Sequence, residues 1–366
     1  MIKSIKKNFT NAYNYCIARE WLLALLLTLT IVGIGITISL IAHPFMLLNM
    51  EPTARNLADP NVSIHYLANW DGVRYMEVAS QGYHDSFVTG FFPLYSILIS
   101  LLEKIIGSYL ASGLIIAWIS LVGAIYYYIK IIKLYFKVNN LNAVKASLLF
   151  VLFPSAVYLM LLYTESLFAF LSLGAIYYAL KGKYWQAGIF TAFATATHIT
   201  GPFLVILIGL ILIEEKVKLL NVVKAMALGC VGLIAYMIYL YRNFNNPLEF
   251  IVAQETHGWL HYTFMQQVGR INLIEWAMLI LVIITTVYWW KRRKSFAIYS
   301  GLNLLIPFVG GQFGGFPRYC LMIFPIQFMI YDILRRHPKA LNSTIIFFAF
   351  CWSGILILFT AGYVVS

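Results

Sequence analysis

The sequence predicts an all-α polytopic membrane protein, and three observations carry that prediction. Apolar residues make up 61% of the 366 positions and the mean hydropathy is +0.80, well outside the roughly 45–50% apolar content of soluble domains. Apolar stretches approaching the roughly 20 residues that cross a bilayer recur from residue 21 to the C-terminus with no gap the size of a soluble domain. Charged residues are only 11% of the chain, and the basic ones fall mainly between alternate apolar stretches.

Taken in order, the first apolar run, 21–43, follows Lys3, Lys6, Lys7 and Arg19. By the positive-inside rule this puts the N-terminus in the cytoplasm. The run is too long for a signal-peptide core and has no small-residue cleavage site after it, so it reads as a retained span. Residues 44–108 form a long polar and aromatic stretch, the first external loop. Within it, 91–107 is apolar but short, begins near Pro93 and contains Glu103 and Lys104, which fits an interfacial helix rather than a crossing. The spans then fall at about 109–133, 145–162, 163–181, 184–199, 200–214, 222–242, 271–290, 296–312, 318–334 and 341–363, making about eleven with the first. This count leaves only Arg55, Arg74, Lys104, Arg242, Arg270 and Arg318 of the basic residues outside. A crossing at 91–107 would invert that bias. The C-terminus is therefore expected outside, residues 243–270 form a second external loop, and 1–366 is one transmembrane unit. Several spans are short, and Pro154 and Pro202 interrupt the pattern, as in helices that line a cavity.

The composition excludes other classes. A net charge of +12 would suggest nucleic acid in a soluble protein; here it sets topology, and no nucleic-acid partner is expected. The four cysteines are scattered, with neither a disulfide framework nor metal-ligand spacing. No Gly-x-x-x-x-Gly-Lys-[Ser/Thr] loop occurs, and no cofactor is expected. Two similar halves are not visible, which weakens a secondary-transporter reading.

Chemistry concentrates in residues 69–95, NWDGVRYMEVASQGYHDSFVTGFFPLY. Asp71, Arg74, Glu77, His84 and Asp85 sit there beside an apolar slab, where charge is costly unless paired or used; the plainer alternative is a solvated connector. A carboxylate such as Asp71, next to an indole at the membrane edge, can accept a proton from a hydroxyl nucleophile. This stretch resembles the signature of the PIG-V-like mannosyltransferases, GPI mannosyltransferase II and its prokaryotic relatives. Further stretches in the same order add to the resemblance: Phe153-Pro154 followed by Tyr163–Phe168 (YTESLF), Ala194–Gly201 (ATATHITG), and Pro317-Arg318-Tyr319. His198 stands where the family commonly has arginine.

The resemblance implies the glycosyltransferase C fold and transfer of a sugar, with inversion, from a polyprenyl-phosphate carrier to a glycolipid or glycan acceptor on the extracytoplasmic side, within the lipid bilayer. It implies Asp71 as base, with the donor phosphate held by Arg318, His198 and Arg74. Trp70, Tyr95, Tyr163, Glu165, Gln312 and Tyr319 would bind substrate. From the residues alone, Glu165 reads equally as a functional carboxylate at the membrane edge or as a first-turn acid favoured by the helix dipole, with Thr164 as its cap. Arg318 carries a fork that matches phosphate oxygens, against the alternative of a snorkelling interfacial side chain. His257 and His261 have i, i+4 spacing but sit in a loop, so no metal is expected. Gly310, Gly311, Gly314 and Gly315 read as a turn ahead of Pro317. The rival function is a transporter or flippase of lipid-linked sugars, which would use the same cavity without needing a base at residue 71.

Overall fold

The structure, a computed structural model, describes residues 19–42, 64–256, 271–305 and 315–363. The described residues are helical with no strand. The helices are α1 (Glu20–Ala42), α2 (Asp71–Gln81), α3 (Pro93–Ile106), α4 (Tyr109–Phe136), α5 (Asn140–Val151), α6 (Glu165–Leu180), α7 (Tyr184–Thr195) and α8 (Gly201–Glu214). They continue with α9 (Leu219–Gly229), α10 (Val231–Phe244), α11 (Glu249–Thr256), α12 (Leu273–Trp290), α13 (Lys294–Asn303), α14 (Phe316–Cys320), α15 (Pro325–Leu334) and α16 (Pro338–Thr360).

Five helical stretches are long and apolar enough to cross a membrane: α1, α4, α9 continuing into α10, α12 and α16. Four shorter apolar helices, α5, α6, α8 and α15, accompany them. The chain is a multi-pass integral membrane protein. Its core is a continuous aromatic and aliphatic cluster running from Leu23 to Phe359. The long α4 packs on α1, α3, α5 and α6; α7 lies against α6, α8, α9 and α10.

Local chemistry explains where the helices begin and end. Ser108 caps α4 through the Ala111 N–H, Asn139 caps α5 through Asn142, and Asn272 with Glu275 forms a reciprocal box at the start of α12. At 91–107 the chain forms the single 14-residue helix α3, begun by Pro93 and closed by Gly107 at φ +75°. Pro202 does not interrupt a helix, as its position suggested. It occupies the first turn of α8, where its missing N–H leaves nothing unpaired.

The segment expected as one span over 145–162 departs most from the sequence pattern. Helix α5 ends at Val151, and residues 152–164 run as turns and a short 3₁₀ helix, Pro154–Leu159, before α6 begins. This irregular stretch is buried almost throughout. Its backbone is satisfied locally and by distant partners: Leu162 N–H donates to Leu67 O at 3.0 Å, and the Ser166 hydroxyl donates to Leu159 O. Non-helical backbone survives in such surroundings only where protein covers it. The stretch expected as a span at 318–334 is likewise broken, into α14 and α15.

Candidate active site

The irregular segment is the floor on which the site is built. Asp71 is the first residue of α2, directly after Trp70 at φ 64°, ψ −117°. That conformation is strained for a residue with a side chain, and such strain persists only where the surroundings impose it. Gly72 lets α2 come down on the floor: a Cβ there would lie 2.9 Å from Leu162 O and 3.3 Å from Ala68 Cβ. The glycine of the Trp-Asp-Gly motif is thus needed for close approach more than for flexibility. Tyr163 donates its hydroxyl to Asn69 O at 2.9 Å, and Asn69 Nδ2 donates to Phe359 O at 3.1 Å, anchoring the approach to α2 from both sides.

Helix α14 packs on the Pro154–Leu159 turn and carries Arg318 to Asp71. Arg318 Nη1 donates to Asp71 Oδ2 at 2.6 Å, and its Nε lies 2.9 Å from Glu165 Oε1. The second contact lies off the N–H direction, so it is an ion pair without an aligned hydrogen bond. Exposure separates the two carboxylates: the Glu165 side chain is 1% exposed, whereas Asp71 is 27% and Arg318 is 19% exposed. Glu165 is a fixed counter-ion; Asp71 faces accessible space. The rings of Tyr158, Tyr163 and Tyr319 surround the guanidinium, at 5.4, 5.4 and 5.7 Å from Cζ, adding cation–π attraction to the two ion pairs.

Thr164 does not cap α6. It leaves the helix backbone without a side-chain cap, and its hydroxyl meets the Tyr75 hydroxyl at 3.3 Å. Burial chiefly, with the charges of Glu165 and Asp71 adding, holds the Tyr75 phenol far above its ordinary pKa, so it keeps its proton. His198 stacks on Phe168 at 4.8 Å and meets Tyr319 edge-on at 5.7 Å. Its Nδ1 accepts the Thr200 N–H at 3.2 Å, which leaves Nε2 as the protonated nitrogen of the neutral ring.

Asp71, Glu165, Arg318, Tyr163, Tyr319 and His198 therefore assemble around one centre; Trp70 is present there as the residue that leads into Asp71. Arg74 does not join them: it donates to Glu77 at 2.8 Å and lies over the Phe87 ring at 5.0 Å. Glu77 in turn approaches His84 at 3.3 Å, forming a separate ionic cluster between α2 and the turn that follows it. Tyr95 is fully buried behind Tyr75, 5.3 Å away ring to ring, with its hydroxyl donated to Gly113 O. It supports the site without lining it. Gln312, His257, His261, Gly310, Gly311 and Gly314 lie outside the described residues. Sequence reasoning missed Tyr75, Tyr158 and Asn69; only the i, i+4 spacing of Asp71 and Tyr75 on a helix would have hinted at the first.

The fold and this centre define the class: an integral membrane protein that keeps one arginine between two carboxylates from distant parts of the chain, at the edge of its helical core. The chain belongs to the mannosyltransferase (PIG-V) family, whose model matches residues 12–289, and it is accordingly a membrane glycosyltransferase with sugar donor and acceptor substrates. The matched stretch holds Asp71, Glu165 and His198; Arg318 lies beyond it and reaches them through the fold. No curated protein matches the chain.

Proposed function

We propose that the protein transfers a mannosyl residue from a polyprenyl-phosphate carrier to a hydroxyl of a glycolipid or glycan acceptor, on the extracytoplasmic side and with inversion. The observation that carries this reading is Arg318 held between a buried carboxylate and an accessible one. A guanidinium fork suits a phosphate leaving group, and a carboxylate within reach of the same point suits a general base.

In the transfer, the bond between the anomeric carbon and the donor phosphate oxygen breaks as the acceptor oxygen bonds to that carbon from the opposite face. The acceptor proton passes to Asp71, and the electron pair leaves with the polyprenyl phosphate. Arg318, with the Nε2–H of His198 beside Tyr319, neutralises charge gathering on that phosphate. Without donor, the Asp71 carboxylate is the partner of Arg318, and its Oδ2 is taken up by that contact. An arriving phosphate takes over that edge of the guanidinium and releases Asp71, while buried Glu165 keeps Arg318 in place. Base and donor are coupled through one side chain, so deprotonation waits for donor.

Purified protein given polyprenyl-phosphate mannose and a glycolipid acceptor should release polyprenyl phosphate stoichiometrically with product. Turnover with a nucleotide sugar and none with any lipid-phosphate sugar would refute the proposal.

A further inference from the structure

A cavity of about 790 Å³, none of whose lining residues belongs to the ionic centre, lies between α2 and α3 on one side and α7 and α9–α10 on the other. No charged side chain lines it. Most of its polar groups are already engaged: the hydroxyls of Ser96, Tyr83 and Tyr236 are donated to the carbonyls of Tyr75, Phe91 and Thr89. A sugar or a charged headgroup would find few partners here. Its width comes from small residues on three helices, among them Ala79, Ala192 and Ala235.

The groove and the ionic centre share two walls. Val78 and Ala79, on the groove, lie on the same helix as Asp71, about 10 Å further along its axis. Ala196, on the opposite wall, accepts the Leu94 N–H at 2.9 Å; two residues on is His198, whose ring meets Tyr319 beside Arg318. From these features we infer that the groove holds the isoprenoid chain of the donor, which rests on the donor proposed above. The choice of donor over acceptor follows from chemistry. In a polyprenyl-phosphate sugar the hydrocarbon begins at the phosphate itself, so its groove must start next to the phosphate site. In a glycolipid acceptor, sugar units separate the hydrocarbon from the reacting hydroxyl. An apolar groove whose wall abuts the Arg318 cage fits the first arrangement.

The test compares two mannosyl phosphates, one on a long polyprenyl chain and one on a short citronellyl chain, with the full-length protein in lipid nanodiscs. Ala235→Trp on α10 and Ser100→Trp on α3 fill the groove from opposite walls. Each is expected to raise the ratio of long-chain to short-chain donor KM on the order of 10-fold, the affinity equivalent of about two buried methylenes. An unchanged ratio in both variants, or a rise confined to the KM of the acceptor, would overturn the assignment. Failure of the unaltered protein to use either donor is a separate result, and it would refute the donor itself.

Discussion

Replacing Asp71 by asparagine removes the charge on one edge of Arg318 while keeping the shape of the side chain. Two effects of opposite sign should follow. The Arg318–Asp71 contact, at 2.6 Å, joins side chains that are 19% and 27% exposed. A hydrogen bond between charged groups is worth about 1.5–3 kcal/mol, and this partial exposure argues for the lower end. The amide still accepts one ordinary hydrogen bond of about 1 kcal/mol, so the donor phosphate has roughly 0.5 kcal/mol less to displace. Donor affinity should therefore tighten by about 2-fold. Turnover should fall on the order of 10²-fold or more, because the amide cannot take the acceptor proton. Binding of a non-hydrolysable polyprenyl-phosphonate mannose, measured with single-turnover rates on the same preparation, separates the two. Weaker donor binding in Asp71→Asn would mean that the carboxylate holds the donor instead of competing with it, and the exchange at Arg318 would be wrong. An unchanged rate would remove Asp71 from the role of base.

Other substitutions probe the same construction. Arg318→Met strands Glu165, which is 1% exposed, without a counter-charge; thermal unfolding should show a loss of about 3–5 kcal/mol. Adding Glu165→Gln should restore most of that stability and none of the activity; if the double variant is no more stable than the single one, the pairing is not what holds Glu165. Gly72→Ala places a methyl 2.9 Å from Leu162 O and should cost about 1–3 kcal/mol while lowering kcat more than donor affinity, a split that kinetics with donor titration would reveal. For topology, Gln81→Cys and Lys218→Cys occupy exposed positions on opposite sides of the expected charge division. An impermeant thiol reagent applied outside should label the first and spare the second. Ser295 would be a poor probe, since it is fully buried and binds Glu214 through both its N–H and its hydroxyl.

The charged residues of the site were legible because charge is scarce in this chain: a carboxylate or an arginine beside apolar spans stands out without knowledge of its partner. That Asp71 and Arg318 meet, 247 residues apart, was legible only through family resemblance. The floor of the site was not legible. Residues 152–164 are apolar enough to read as part of a span, and hydropathy does not distinguish a buried helix from a buried turn whose carbonyls find distant donors. Thr164 was open to two readings for a related reason. A threonine before a helix suggests a cap, but here its hydroxyl meets that of Tyr75. The resemblance implied Arg74 at the donor phosphate, whereas its side chain pairs with Glu77, three residues on along the same helix.

The hydrogen bond from Asn69 to Phe359, spanning 290 positions, bears on how the enzyme comes into being. Phe359 also packs its ring against Tyr158 and Tyr163, two of the three rings around Arg318. Helices enter a membrane in order of synthesis, at about 5–20 residues per second, so Asp71 is in place many seconds before α16 arrives. Until then the segment carrying Asp71 lacks its anchor and the arginine cage lacks its backing. A ribosome-bound chain that lacks α16 thus holds Asp71 and Arg318 without the contacts that Phe359 makes to Asn69 and to the rings around the guanidinium.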